Sequence, residues 1–229
     1  MNSRPLAKRL WYGFCRMLCR IVCVALFGVR VRGQLSFPRH GGVLLVSNHQ
    51  SHLDPVLAGI SCDRQMSSLA RDTLFRIPVL RTLITWLDAI PLDREGIGLA
   101  GVKETLRRLK HGEVVLLFPE GTRTFDGQLA PLKPGFCTLA RRTRVPVQPM
   151  AVAGAFDAWP RWRTWPCLAT IHIQYGQPLA PEEVAALDDR ELVAEIQTRL
   201  AACQHEAEAY RRRAVRELPA PPAANPRRR

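Results

Sequence analysis

Two uninterrupted apolar runs, Val43-Leu44-Leu45-Val46 and Val114 to Phe118, each break off abruptly into a polar turn containing glycine or proline. A strand in which every residue is apolar is covered on both faces, as strands are in the middle of an α/β sheet packed between helices. Further strands are predicted at Val145–Val152, weakened by Pro146 and Pro149, and at Thr170–Tyr175. A helix is predicted over Gly98–Lys110, and an apolar stretch, Val56–Ile60, follows the first turn. Asp188 with Glu191 three residues on forms a capping pair for a last helix, whose Leu192, Val193, Ile196 and Leu200 repeat at helical spacing as far as about Tyr210. The expected fold class is α/β, and at 229 residues the chain suits one substantial domain rather than two. That domain is assigned to residues 33–217, with a segment 1–32 before it and a Pro/Arg-rich tail 218–229 that cannot bury a core.

The N-terminal segment carries Arg9, Arg16 and Arg20 on one side of a helix and Leu10, Trp11, Phe14, Met17, Leu18, Ile21 and Ala25 over the rest. The arginines argue against a clean transmembrane span, and nothing resembles a secretory cleavage site. An interfacial membrane helix fits best, an ordinary surface helix being the alternative. Cys15, Cys19 and Cys23 fall four apart on one flank, a pattern of lipidation or of packing. The seven cysteines contain no C-x-x-C pair and suggest reduced thiols in a cytoplasmic setting. A net charge of +13 calls for an anionic partner without choosing among nucleic acid, membrane and a phosphorylated substrate.

The chemistry concentrates where the two apolar runs end, because turns at one rim of an α/β sheet are where such folds assemble sites. After the first run comes Asn48-His49-Gln50-Ser51-His52-Leu53-Asp54-Pro55. A carboxylate that holds one imidazole nitrogen protonated leaves the other free to take a proton, so His49 and Asp54 read as a general base with its orienting partner. Asp54 also reads as a helix N-cap before Pro55. After the second run comes Phe118-Pro119-Glu120-Gly121-Thr122-Arg123, with Lys133-Pro134-Gly135 downstream. Gly121 permits close backbone approach, Thr122 offers a hydroxyl, and Arg123 and Lys133 are cations suited to phosphate oxygens.

Asn48-His49-x-Ser51-x-x-Asp54 followed by Phe118-Pro119-Glu120-Gly121-Thr122-Arg123 resembles two signature blocks of the lysophosphatidic acid acyltransferase family, the 1-acylglycerol-3-phosphate acyltransferases. Ile90-Pro91-Leu92-Asp93-Arg94 resembles a degenerate intermediate block, with Ala89 and Pro91 where glycine and an aromatic residue are usual, and the Val145–Val152 strand resembles a fourth. The resemblance covers roughly Gly41–Pro178. It implies a single acyltransferase domain with a central mixed sheet flanked by helices. It also implies that His49 and Asp54 are the catalytic pair, that Arg94 and Arg123 bind the acceptor phosphate, and that Glu120 and Gly121 shape the acceptor site.

On that basis the expected reaction moves a fatty acyl group from acyl-CoA or acyl carrier protein to the free sn-2 hydroxyl of 1-acylglycerol-3-phosphate. No metal and no cofactor beyond the acyl co-substrate are expected, since the other histidines have no ligand spacing. Without a G-x-S-x-G elbow, direct attack by the acceptor hydroxyl is simpler than an acyl-serine, although Ser47 and Ser51 lie near His49. The expected partners are membrane lipids and the lysophospholipid at the cytoplasmic face of a membrane. Acylation of another lysolipid such as a lyso-aminolipid, thioester hydrolysis, and nucleic-acid binding supported by Arg141-Arg142-Thr143-Arg144 are the rival readings; nucleic acid is not an expected partner because it leaves both polar turns without a purpose.

Overall fold

The computed structural model describes residues 5–71, 89–92 and 98–216. Helix α1 (Leu6–Phe27) leads into β1 (Arg30–Arg32), and then β2 (Val43–Ser47), α2 (Asp54–Ser61), β3 (Met66–Arg71) and β4 (Ile90–Leu92). There follow α3 (Leu99–Lys110), β5 (Val114–Leu117), α4 (Gly135–Thr143), β6 (Val147–Ala153) and the short α5 (Ala155–Ala158). The chain continues through β7 (His172–Tyr175), α6 (Pro181–Ala186) and α7 (Asp189–Arg216). The sheet order is β1-β7-β6-β2-β5-β3-β4, parallel throughout except where β7 meets β6. This is the mixed, helix-flanked sheet that the family resemblance implies.

The all-apolar strands are explained by two cores. Alternate side chains of a strand point to opposite faces. Val43 and Leu45 of β2, with Val114 and Leu116 of β5, join Leu57 and Ile60 of α2 and Phe27 of α1 on one face. Leu44 and Val46, with Val115 and Leu117, join Phe136 and Leu139 of α4 and Leu192, Ile196 and Leu200 of α7 on the other. Both strands are buried along their whole length.

The Val145–Val152 run forms β6 in the interior of the sheet, despite its prolines. In a strand the N–H and C=O of one residue face the same neighbour. The Pro149 carbonyl accepts from Gly176 N–H (3.0 Å), so the missing donor faces Gly176. The Gly176 carbonyl, left without that donor, accepts instead from the Gln148 side chain (2.7 Å) and the Ser36 hydroxyl (2.8 Å).

At the last helix the reciprocal capping box is present: Asp188 N–H donates to Glu191 Oε2 and Glu191 N–H to Asp188 Oδ1, both at 2.8 Å. At α2 the capping expectation fails. Leu53 is the N-cap, and Asp54, already inside the helix, turns its carboxylate back into the preceding loop. Helix α1 is half packed on the domain. Tyr12, Cys23 and Phe27 are buried, Cys15 and Cys19 are half-buried on the same side, and Arg16 donates to the Cys62 carbonyl (2.6 Å). Leu10, Phe14, Met17, Leu18 and Ile21 stay exposed. A surface helix hides its apolar stripe; this one presents it outward. The helix is also long and apolar enough to cross a membrane by length and composition. The cysteine flank is used for packing. Strand β1, inside the segment expected to be only an anchor, pairs with β7 in the sheet.

Candidate active site

Strand β2 lies between β6 and β5 and runs parallel to both, so the turns after the three share one rim. There the first turn is fastened to β6. Asn48 donates from Nδ2 to the Val152 carbonyl (2.9 Å) and accepts Val152 N–H on Oδ1 (2.8 Å), a side-chain amide continuing the ladder between β2 and β6.

His49 follows, with Nδ1 2.8 Å from Asp54 Oδ2. The same oxygen accepts the backbone N–H groups of Gln50 (2.6 Å) and Ser51 (2.7 Å). Asp54 is fully buried, whereas the His49 side chain keeps 19% of its surface open. A carboxylate can only accept, so Nδ1 carries the proton and Nε2 presents a lone pair. The imidazole stacks on Phe118, with centroids 4.0 Å apart and planes 14° apart.

The second turn holds the backbone of the first. Glu120 Oε1 accepts His49 N–H (2.7 Å), Glu120 Oε2 accepts Ala130 N–H (3.0 Å), and the His49 carbonyl accepts Thr124 N–H (2.8 Å). Glu120 is 3% exposed, and burial pushes its carboxyl up to about 7 against the pull of the two N–H donors. Both carboxylate oxygens are thus engaged by backbone, which makes Glu120 a brace of the site.

Gly121 adopts φ +74°, and Lys133 Nζ lies 2.8 Å from where a Cβ would stand. Lys133 is anchored by its backbone N–H on the Pro119 carbonyl (2.9 Å), so its side chain crosses the turn. Thr122 and Lys133 are exposed and Arg123 half-buried. Arg123 Nη1 lies 2.6 Å from His52 Nδ1. Nη1 is as near to His52 Nε2 (2.5 Å), and the pKa of His52 is lowered by burial first and by Arg123 second, which disfavours a second charge beside the guanidinium. Sequence alone gives His52 no role, because its partner is 71 positions away. Arg94 lies outside the described residues.

Ser51 is fully buried; its Oγ donates to the Trp159 carbonyl (2.7 Å) and accepts Leu53 N–H (3.1 Å). Ser47 Oγ, also buried, faces the Asn48 carbonyl at 3.1 Å. Both hydroxyls are engaged by backbone. The arrangement offers a base with a fixed tautomer at an open rim, with Arg123 and Lys133 at the second turn beside it. It can deprotonate a hydroxyl brought beside it on a molecule bearing negative charge.

A family model described as Acyltransferase matches residues 28–153. The chain belongs to this acyltransferase family. It is 31% identical over 193 residues to the 1-acyl-sn-glycerol-3-phosphate acyltransferase of Pseudomonas aeruginosa, covering 79% of this chain and 71% of that one. It is 27% identical over 184 residues to the Bacillus subtilis protein of the same name, covering 80% and 89%. A chloroplastic relative of that name from Brassica napus is 35% identical over 117 residues, half of this chain, which spans only 34% of the plant protein. The crystal structure of the 1-acyl-sn-glycerophosphate acyltransferase from Thermotoga maritima shares the fold at a TM-score of 0.74, with 24% identity over 98% of this chain and 86% of that one.

Proposed function

We propose that the protein transfers a fatty acyl group from a thioester, acyl-CoA or acyl carrier protein, to the sn-2 hydroxyl of 1-acylglycerol-3-phosphate, giving phosphatidic acid. The observation that carries this reading is the bond between His49 Nδ1 and Asp54 Oδ2, made where Asp54 is itself locked by two backbone donors. His49 Nε2 takes the hydroxyl proton as the acceptor oxygen attacks the thioester carbonyl. The new C–O bond forms, the C–S bond breaks, and the imidazolium returns its proton to the departing sulfur. General-base catalysis of this kind contributes roughly 10²- to 10⁴-fold, and positioning of the two substrates supplies much of the rest. Arg123, oriented by His52, and Lys133 over Gly121 hold the acceptor phosphate, with Arg94 as a further phosphate ligand. Thr122 lends a hydroxyl to the same group.

The protein works at the cytoplasmic face of a membrane, held there by the outward apolar stripe of α1. Names of the relatives and the two cations beside His49 favour a phosphate-bearing acceptor over other lysolipids. The engaged hydroxyls of Ser47 and Ser51 favour direct attack. The test uses purified protein with labelled acyl-CoA or acyl carrier protein and a panel of lysolipids resolved by thin-layer chromatography. Labelled phosphatidic acid from the lysophosphatidate lane is expected; labelled free fatty acid in every lane identifies a hydrolase, and product only from a phosphate-free lysolipid reassigns the acceptor.

A further inference from the structure

The connection between α5 and β7 reads Trp159-Pro160-Arg161-Trp162-Arg163-Thr164-Trp165-Pro166-Cys167-Leu168, and beyond the Trp159 carbonyl it has no part in the site described above. It is a fastened loop. The Trp159 indole N–H donates to the Arg163 carbonyl (2.9 Å), Arg163 N–H to the Pro160 carbonyl (3.1 Å), and Cys167 N–H closes the loop on the Ala158 carbonyl (2.8 Å). Its root is tied to the first catalytic turn through Ser51 and the Trp159 carbonyl (2.7 Å), and the Trp159 ring lies 5.2 Å from that of His52. The Arg161 guanidinium sits 4.0 Å over the Phe125 ring, which belongs to the second turn.

Having bound its backbone so closely, the loop leaves its apolar side chains in the open. Trp165 is 78% exposed and Leu168 77%, with Trp162 and Phe125 also exposed. The loop leads into Ile171, whose N–H donates to the Phe27 carbonyl at the last residue of α1 (3.0 Å). The C-terminal end of α1, where Val24 and Leu26 are also exposed, therefore lies beside the strand that the loop feeds.

We propose that residues 159–168 form a second lipid-contacting element, which seats Trp162, Trp165 and Leu168 in the headgroup–acyl boundary of an anionic bilayer at the mouth of the His49 site. Tryptophan with an apolar body and one N–H favours that boundary, and Arg161 and Arg163 supply the complement to anionic phosphates. Single-stranded nucleic acid also stacks on aromatic and basic surfaces. It has no use for the exposed apolar side of α1, whose C-terminal end meets Ile171 just beyond the loop, and a bilayer covers both. With α1 as one support and the loop as the other, the rim of the sheet faces the membrane, and a lysolipid rises to His49 without entering water. This last step rests on the acyltransferase reading; binding of the loop to lipid does not.

The experiment compares the full chain with Trp162→Ser/Trp165→Ser on vesicles of phosphatidylglycerol and phosphatidylcholine, some carrying brominated acyl chains. The expected wild-type result is a blue shift of tryptophan emission and quenching by the brominated lipid, with at least half of the quenching lost in the variant. Turnover of lysophosphatidate presented in vesicles is expected to fall tenfold or more, while turnover of a short-chain acceptor below its micellar concentration stays unchanged. Trp165→Ser alone, made at the most exposed of these positions, serves if the double variant melts early. Quenching equal in wild type and variant overturns the proposal, as does displacement of vesicles by a single-stranded oligonucleotide. A wild type that binds vesicles through the loop but transfers no acyl group overturns the proposed reaction and leaves the lipid contact standing.

Discussion

Glu120 accepts the backbone N–H of His49 at 2.7 Å across 71 residues of chain. The bond joins the two polar turns into one object: the second turn grips the backbone of the first, while Asp54 grips its imidazole. His49 is therefore positioned from two directions, by Asp54 on the ring and by Glu120 on the main chain.

Replacing Glu120 by Gln turns an N–H₂ group toward one of the two backbone donors and loosens that hold. Misplacement by about 1 Å can cost on the order of 100-fold in rate; a fall in kcat of roughly tenfold or more is expected, with donor KM little changed. The variant also has a stability signature. With a folded pKa raised from 4.5 to about 7, Glu120 keeps a proton that the unfolded chain releases. Its contribution is complete below about pH 4.5, declines as pH rises toward 7 and is flat above, a swing of order 3 kcal/mol at about 1.36 kcal/mol per unit. Urea unfolding across pH 4.5 to 8 checks this: the wild type should lose stability relative to Glu120→Gln over that window, and parallel curves would show that the carboxyl is not held protonated.

His49→Ala should nearly abolish transfer in a folded protein, and Asp54→Asn should cost about 10³- to 10⁴-fold, the scale met when the carboxylate partner of a catalytic imidazole becomes an amide. The amide oxygen can still accept from Gln50 and Ser51, so the Asn variant should melt near the wild type. Asp54→Ala leaves both N–H groups buried without an acceptor, at about 1 to 3 kcal/mol each, and should melt well below it. The double variant His49→Ala/Asp54→Asn should be scarcely slower than His49→Ala, because both serve one step. Single-turnover rates and thermal melts on this set decide the matter; near-normal turnover by folded His49→Ala removes the mechanism.

Much of this was legible in the sequence, for identifiable reasons. β2 and β5 announce themselves because both of their faces are core, and α7 because its cap and its apolar spacing agree. β3 does not, since Ser67 and Ser68 are strand residues only by virtue of lying beside β5, with Ser67 Oγ bonded by Arg108 (2.5 Å). Nor does β1, three residues long and alternating in charge, which owes its state to β7. In the site, the pair His49 and Asp54 follows from spacing alone. The brace by Glu120 and the contact of His52 with Arg123 do not, because each joins side chain to partner across the fold. The amphipathic character of α1 was readable, but the face it turns to the domain was not: cysteines pack as readily as larger apolar residues, and Arg16 found a buried carbonyl.

The outward stripe of α1 gives a prediction that truncation cannot test cleanly, since Cys23 and Phe27 belong to the core. Phe14→Glu/Ile21→Glu changes only exposed positions. It should leave the melting temperature within a few degrees of the wild type and shift most of the protein from vesicle pellet to supernatant in sedimentation. Full sedimentation of the folded variant would mean that α1 is not the main anchor.

Gly121→Ala probes Lys133. An alanine held at φ +74° is strained by about 1 to 2 kcal/mol, and its Cβ would stand 2.8 Å from Lys133 Nζ, which must swing away. Acceptor KM should rise severalfold while donor KM holds, with a melting temperature lowered by a few degrees. A lower melting temperature with unchanged acceptor KM would mean that Lys133 does not touch the acceptor.

Arg123→Ala should raise the KM for lysophosphatidate by tenfold or more and leave donor KM near normal, because a guanidinium that grips a phosphate equally in ground and transition states contributes uniform binding. His52→Ala should do the same to a lesser degree, since the guanidinium remains but loses the ring it rests against. His52→Gln, whose amide oxygen can accept from Arg123, should recover part of the loss. The two positions act on one contact, so the double variant should resemble Arg123→Ala rather than multiply the single effects. Steady-state kinetics with lysophosphatidate and with a phosphate-free lysolipid settle both assignments. Equal damage with the two acceptors would place Arg123 in the scaffold of the turn, and a multiplicative double variant would separate His52 from it.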